Sequence, residues 1–259
     1  MRVLPPRLRQ TLYYRYYHYR HPEWARLFWS APLSFSPNVS MFALVLGDII
    51  SGNIAFNGFY ELELSREIAR LARKGGLFVD VGANMGYFSL LWAGISPLGQ
   101  VIAYEAAPRN IEILQNNIAR NSLCQKISLV CKAAGAHDGQ VAFELGPHDQ
   151  TGWGGISRVS TATTIGIPLV RLDGELSGKT VEVLKIDAEG SDTTVLLGCE
   201  GLLKNKKVRR IYFEQNEVRM QELGIRQNEA QSFLRDLGYV CVPFLGSKAE
   251  WVAYPRAGT

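Results

Sequence analysis

From residue 77 onward the chain alternates short apolar runs with stretches of helical period. Leu77–Val81, Gln100–Tyr104, Ile127–Val130, Val183–Ile186 and Arg210–Phe213 are apolar and brief, the signature of strands. Between them, Tyr87–Ala93, Arg109–Arg120, 193–203 and Gln227–Leu237 repeat apolar positions every three or four residues, the signature of helices. Strand and helix in alternation demand right-handed crossovers and a mostly parallel, doubly wound sheet. Val141–Leu145 and Ile167–Leu172 interrupt the alternation as an inserted β pair around a loop rich in Gly, Thr and Ser. Tyr239–Phe244 and Trp251–Tyr254 close the sheet as a C-terminal antiparallel hairpin.

Upstream, residues 60–73 carry a helix that Lys74-Gly75-Gly76 ends. Residues 41–58, with apolar stretches broken by Gly47, Gly52 and Gly58, predict a hairpin or irregular strands. Residues 1–30 are dense in aromatics and arginine, from Tyr13 to Arg20 and again at Trp24, Phe28 and Trp29. They predict one or two helices whose aromatic side packs on the body, or a lid that stacks on an acceptor or rests at a membrane surface. The chain therefore divides into a basic aromatic cap, 1–57, and a catalytic domain, 58–259.

Charge sharpens that division. The net charge is +4, yet residues 1–30 hold six arginines against the single acid Glu23, which leaves the remainder close to neutral. A near-neutral body argues against a broad nucleic-acid groove. The four cysteines, Cys124, Cys131, Cys199 and Cys241, lack metal-site spacing and suggest a reduced chain. The N-terminus has no continuous apolar h-region, and Met41–Leu46 is too short to span a bilayer. A soluble, cytoplasmic protein is expected.

Three strand tips carry the chemistry. At the first, Phe78-Val79-Asp80-Val81-Gly82-Ala83-Asn84-Met85-Gly86 runs a strand through a glycine bend into a helix. In open parallel sheets ligands bind at the carboxyl ends of strands. Glycines at 82 and 86 are expected to let backbone approach a ligand, and Asp80 to accept from an ammonium group or order a water. The spacing G-x-x-x-G behind an acid differs from the dinucleotide G-x-G-x-x-G, so a cofactor with a charged amino-acid end and no phosphate is favoured over a nicotinamide. At the second tip Glu105, 25 residues after Asp80, suits a ribose diol. At the third, Lys185-Ile186-Asp187-Ala188-Glu189-Gly190-Ser191-Asp192 gathers ionisable groups, which are costly to bury unless paired or functional.

Together these segments resemble the FkbM family of S-adenosylmethionine-dependent methyltransferases. Phe78–Gly86 is similar to that family's FVDVGANxG motif, and Glu105 with Pro108 to its ExxP step. Leu172-Asp173 stands at its LD pair, Lys185–Gly190 at its KIDxEG signature, and Glu214 at an acid of the next strand end. The resemblance spans about residues 58–215; Asp192 stands where the family commonly has Glu, and residues 1–50 lie outside it. It implies a class I, Rossmann-like methyltransferase fold binding S-adenosyl-L-methionine. Asp80, Gly82, Ala83, Asn84 and Gly86 would line the methionine end, Glu105 and Ala106 the ribose, and Cys131–Gly135, including Ala134, the adenine edge; Glu61 joins this cofactor set. Gln150–Ser157, with Trp153 as its large side chain, would form a flap over the donor.

Family members are associated with O-methylation in natural-product or glycan pathways, so the expected acceptor is a hydroxyl of a small molecule or glycan. The proton acceptor would be Asp187, Glu189, or Lys185 if burial lowers its pKa. A Mg2+ ion on Asp187, Asp192 and Glu214 is an additional reading, because hard carboxylates suit it. A nucleic-acid methyltransferase is disfavoured by Asp187-Ala-Glu-Gly where amino-base enzymes carry N/D-P-P-Y/F. A non-catalytic binding module docking through the arm is the remaining alternative. His18, His21, His137 and His148 form no evident site.

Overall fold

The structure is a computed structural model that describes residues 4–18 and 20–256, the side chains of His21 and Pro22 excepted. Tyr19, part of the aromatic run, lies outside the described residues.

The N-terminal segment forms α1 (Pro6–Leu12), a π-helical turn (Tyr13–Tyr17), a 3-10 helix (His21–Phe28), and the antiparallel pair β1 (Ser30–Leu33) and β2 (Ser36–Phe42). Its inner side is apolar and packs on α2 (Ile49–Asn57): Tyr13 is buried against Phe56, and Tyr17 stacks on the same ring at 5.1 Å. Tyr13, Phe28, Ala31 and Phe56 share one continuous core with Phe78 and Trp92 of the domain. The expected packing of the aromatic side is therefore present.

α2 corrects the expectation of strands over 41–58. Its residues Ser51–Asn57 are all buried, so no polar face advertises a helical period. The signals lie at its ends. Asp48 caps the N-terminus through Ser51 N, and Gly58, at φ 73°, closes the C-terminus in the left-handed conformation. α3 (Leu62–Ala72) is conventionally amphipathic, burying Leu62, Leu64, Ile68 and Leu71 while Glu63–Arg66 and Glu67–Arg70 pair outside.

The domain then follows the predicted alternation: β3 (Leu77–Val81), α4 (Tyr87–Ile95), β4 (Gln100–Tyr104), α5 (Pro108–Arg120) and β5 (Ile127–Val130). The insertion is larger than a β pair. β6 (Ala133–Ala134), β7 (Gly139–Glu144), β8 (Gly155–Ser157) and β9 (Thr164–Val170) form a second sheet in the order β6-β9-β7-β8. A short α6 (Leu172–Glu175) leads to β10 (Val181–Ile186). The helix expected over 193–203 is two, α7 (Asp192–Leu197) and α8 (Glu200–Lys204), broken at Gly198. A Cβ at Gly198 would lie 2.0 Å from the carbonyl oxygen of Gly135, so the chain must turn there without a side chain. β11 (Ile211–Glu214), α9 (Glu217–Glu222), α10 (Glu229–Asp236), β12 (Tyr239–Pro243) and β13 (Glu250–Pro255) complete the fold.

Among the described residues the main sheet has the order β12-β13-β11-β10-β3-β4-β5. β5, β4, β3, β10 and β11 are parallel, and the β12–β13 hairpin adds antiparallel through β13. The strand order reverses between β3 and β10, and at such a switch point the two loops leave in opposite directions and open a crevice. Phe78, Val79 and Val81 are buried on both faces of the sheet, as central parallel strands require. α5 also ties the small β1–β2 sheet to the domain. Asn121 exchanges hydrogen bonds with both backbone groups of Ser40, and the Asn117 oxygen accepts from Phe42 N while its amide donates to the Met85 carbonyl.

Candidate active site

The crevice is a cleft of about 800 Å³, open to solvent on one side, at the carboxyl ends of β3, β4 and β10. Gly82, Asn84, Glu105, Ala106, Ala134, Asp187, Glu189 and Glu214 all line it.

The loop after β3 is held by backbone contacts. Gly82 N and Ala83 N both donate to the Tyr104 carbonyl, and Asp187 N donates to the Val81 carbonyl, joining three strand tips. Glycine is required at 82 for a reason other than ligand approach. Its φ is 72°, and a Cβ would stand 1.9 Å from the carbonyl oxygen of Asp187. At Gly86, φ 91°, a Cβ would strike Leu114 at 2.2 Å. Both glycines thus serve packing between protein segments, and Gly86 and Ala83 lie behind the cleft wall rather than on it.

Glu105 accepts from Asn84 N at 2.6 Å, Ala107 N at 2.8 Å and Ala106 N at 3.0 Å. A carboxylate offers about four acceptor positions, so roughly one remains for a ligand hydroxyl. Burial pushes this carboxyl above the usual range, against the pull of those three N–H groups. Two further acceptors on the wall are unsatisfied: the side-chain oxygens of Asn84 and Asn110. Asn110 is buried and donates its amide to the Thr151 carbonyl, which fixes its oxygen as the free end. Sequence reading overlooked Asn110; its place in the first turn of α5, five residues after Glu105, was the available signal.

Asp80 sits beneath the cleft. It is 1% exposed, does not line the cleft, and accepts from the Ser89 hydroxyl at 2.7 Å. Parallel register sets Lys185 of β10 beside it, and side chains in register emerge on the same face. The Lys185 ammonium lies 3.7 Å from Asp80, 3.2 Å from Asp187 and 5.1 Å from the centroid of the Phe88 ring. Burial alone would lower its pKa, but Asp187, Asp80 and Glu61 outweigh burial and hold it above the ordinary lysine value. Its surroundings therefore favour the charged form of Lys185. A lysine base would need the opposite shift.

Around this cation the carboxylates crowd. Glu61, Asp187, Glu214 and Glu250 line a second recess of about 340 Å³, walled by Tyr212, Phe244 and Trp251, which meets the first cleft at Asp187 and Glu214. Burial, with Asp187 as the leading neighbouring charge, pushes Glu61 to about 8 and Glu214 to about 7. The same causes push Glu189 to about 8. Glu61 and Glu189 both adopt positive φ, 42° and 48°, a strain that clusters at functional sites. Glu189 also borders an open groove with Trp153, Asn216 and Arg219.

The Mg2+ reading does not fit. Both oxygens of Asp192 are engaged, one by Ala188 N at 3.1 Å and the other by Glu214 N at 2.9 Å. Asp192 joins the β10 and β11 tips rather than turning toward Asp187. Among the described residues no group of three or more His, Cys, Asp or Glu is arranged to hold a metal.

The segment expected to form a flap borders the cleft, in part as strand β8. Thr151, Gly152, Gly154, Gly155 and Ile156 face the cleft, while Trp153 turns outward and is 60% exposed. It is latched from two sides. Asp48 accepts from Thr151 N and its hydroxyl, and Arg109 donates to the carbonyls of Pro147 and Gln150. Lys132, Ala133 and Ala134 border the cleft after β5.

Known proteins resemble this chain in sequence and in fold. A family model described as the methyltransferase FkbM domain matches residues 80–241. No curated protein matches the chain. Among solved structures, a methyltransferase FkbM from Methylobacillus flagellatus KT is 16% identical with a TM-score of 0.48, covering 90% of this chain and 58% of that one. The chain thus spans somewhat over half of that protein's length. A SAM-dependent O-methyltransferase from Thermotoga maritima is 13% identical, TM-score 0.46, over 78% of this chain and 67% of that one. An O-methyltransferase from Bacillus cereus in complex with SAH is 12% identical, TM-score 0.43, over 76% and 82%. With most of its length matched by the family model, and with the motifs of that family closing one cleft, this chain belongs to the FkbM methyltransferase family.

Proposed function

We propose that this chain transfers a methyl group from S-adenosylmethionine to a hydroxyl of a small molecule, natural product or glycan. The observation that carries the donor half is the set of unpartnered acceptors at one wall: the remaining position on Glu105 and the buried oxygens of Asn84 and Asn110, which no protein group satisfies. Ribose hydroxyls and an exocyclic amine are donors, so an adenosine satisfies that wall. The acid-lined recess beyond Asp187 and Glu214 suits a cationic amino-acid end, with Glu61 at its edge. When bound, the donor supplies an electrophilic methyl carbon on sulfur for in-line displacement.

This chain's own residues then align the acceptor, exclude water and take its proton. Asp187 and Glu189 both line the cleft, whereas Lys185 stays protonated and steadies Asp187. We assign the proton to Glu189, because it stands where the cleft meets the open groove and its carboxyl is pushed to about 8. A base with a pKa near the working pH transfers protons most effectively. Trp153, Asn216 and Arg219 give the groove an aromatic surface and polar donors suited to a sugar-like acceptor. The cysteines carry no disulfide, and among the described residues no helix is long and apolar enough to cross a membrane; we infer a cytoplasmic enzyme.

Titration calorimetry with S-adenosylhomocysteine tests the donor half. Binding that Glu105→Ala weakens at least about tenfold, the effect of one lost charge-assisted hydrogen bond, supports it. Absence of binding by the parent protein overturns it. Once an acceptor is found, Glu189→Gln should keep donor affinity and lose turnover by at least about a hundredfold.

A further inference from the structure

We propose that the N-terminal segment docks the protein on an anionic lipid surface. This segment has two unlike sides. Tyr13 and Phe28 are buried, and the Arg9 guanidinium is sequestered on the Asn57 carbonyl at 2.6 Å. On the other side Leu8, Tyr14 and Tyr16 are about half exposed, and Trp29 is 75% exposed.

Arg15, Arg20 and Arg26 are exposed on the same segment, with no carboxylate at ion-pair distance among the described residues. On the same segment Arg7 pairs with Glu63 and Arg9 is held by the Asn57 carbonyl, so Arg15, Arg20 and Arg26 are its free cations among the described residues. The segment therefore presents uncompensated positive charge together with large aromatic surface. Aromatic rings with a polar edge favour the membrane–water interface, and basic residues beside them favour anionic headgroups.

The apolar surface continues toward the cleft. Leu44 N donates to the Phe28 carbonyl, so Trp29 lies next to the segment that carries Leu46 and Ile49, both about half exposed. The next residue, Ile50, lines the donor cleft, and the Gly47 carbonyl holds Gln150 of the flap. Exposed aliphatic groups such as Leu8, Leu46 and Ile49 gain from a lipid interface and gain little from a polyanion such as RNA. The near-neutral charge of the remaining chain also favours lipid over nucleic acid.

The test is co-sedimentation of the full chain with vesicles of phosphatidylglycerol mixed into phosphatidylcholine, against phosphatidylcholine alone. Binding should require the anionic lipid. Each interfacial cation is worth roughly fivefold, so the R15Q/R20Q/R26Q variant should partition on the order of 100-fold more weakly. Trp29→Ser should remove the part of binding that survives high salt. Both variants alter exposed side chains, and unchanged thermal melting and unchanged S-adenosylhomocysteine affinity will show that the fold is intact. Failure to sediment, equal binding to both vesicles, retention of binding by the triple arginine variant, or capture of RNA without capture of vesicles would each overturn the proposal.

Discussion

Replacing Lys185 by Met removes the only cation facing Asp80 among the described residues, while a side chain of similar length and apolar stem is kept. What remains is a carboxylate at 1% exposure with one hydrogen bond, from Ser89, on one oxygen and none on the other. Stripping one partner from a buried pair costs about 3–5 kcal/mol, because the surviving charge stays out of water. Asp187, 29% exposed, can turn to solvent and contributes little to that figure. The experiment is urea unfolding followed by circular dichroism. Lys185→Met should lose about 3–5 kcal/mol near neutral pH, and adding Asp80→Asn to it should restore at least about 2 kcal/mol by removing the stranded charge. Acid offers a second control. Without the lysine, the folded-state pKa of Asp80 rises further above the unfolded value of 3.8. Stability relative to the parent is then best below that value and is lost as pH rises. If Lys185→Met costs less than about 1 kcal/mol, or Asp80→Asn restores nothing, the account of this pair is wrong.

Gly82→Ala must displace the Asp187 carbonyl from 1.9 Å and force a positive φ on alanine; calorimetry should show S-adenosylhomocysteine affinity reduced by more than about tenfold. Asp48→Ala removes the cap of α2 and both bonds to Thr151. It should cost about 2–4 kcal/mol in urea unfolding and raise proteolysis within 147–156. Glu61, Glu189, Asp192 and Glu214 have folded pKa values of about 7 to 8 against ordinary values near 4. The folded chain therefore holds more protons than the unfolded chain in that window, and thermal stability without ligand should fall from about pH 5 to about pH 8 and level off above. A flat or rising profile over that range would contradict the crowding of these acids.

The parallel core of the fold was legible because its strands are buried on both faces and its helices are amphipathic, so each period is written in the residue pattern. α2 was not, because a helix buried all round has no polar face, and its Asp48 and Gly58 caps were the readable trace. The second sheet exceeded the expected pair because its extra strands, β6 and β8, are two and three residues long and pair through the backbone. At the site, Glu105, Asp187 and Glu189 were found as strand-tip acids, and the structure brings them to one cleft. Asp80 and Lys185 were found too, as ionisable groups at two strand tips. Only register shows that they face each other beneath the cleft. The metal reading of Asp192 failed for a similar reason: no spacing reveals that two backbone amides already use its oxygens.

The carboxamides of Asn117 and Asn121 have an effect that extends past their own bonds. They meet the backbone of β2 at Ser40 and Phe42, the groups that alternate away from β1 and would otherwise be offered to any extended peptide. A two-stranded ribbon is ordinarily open to templating by another chain. Here a helix supplies counterfeit rungs to that ladder, so the ribbon ends on its own molecule, and loss of either asparagine should show first as self-association.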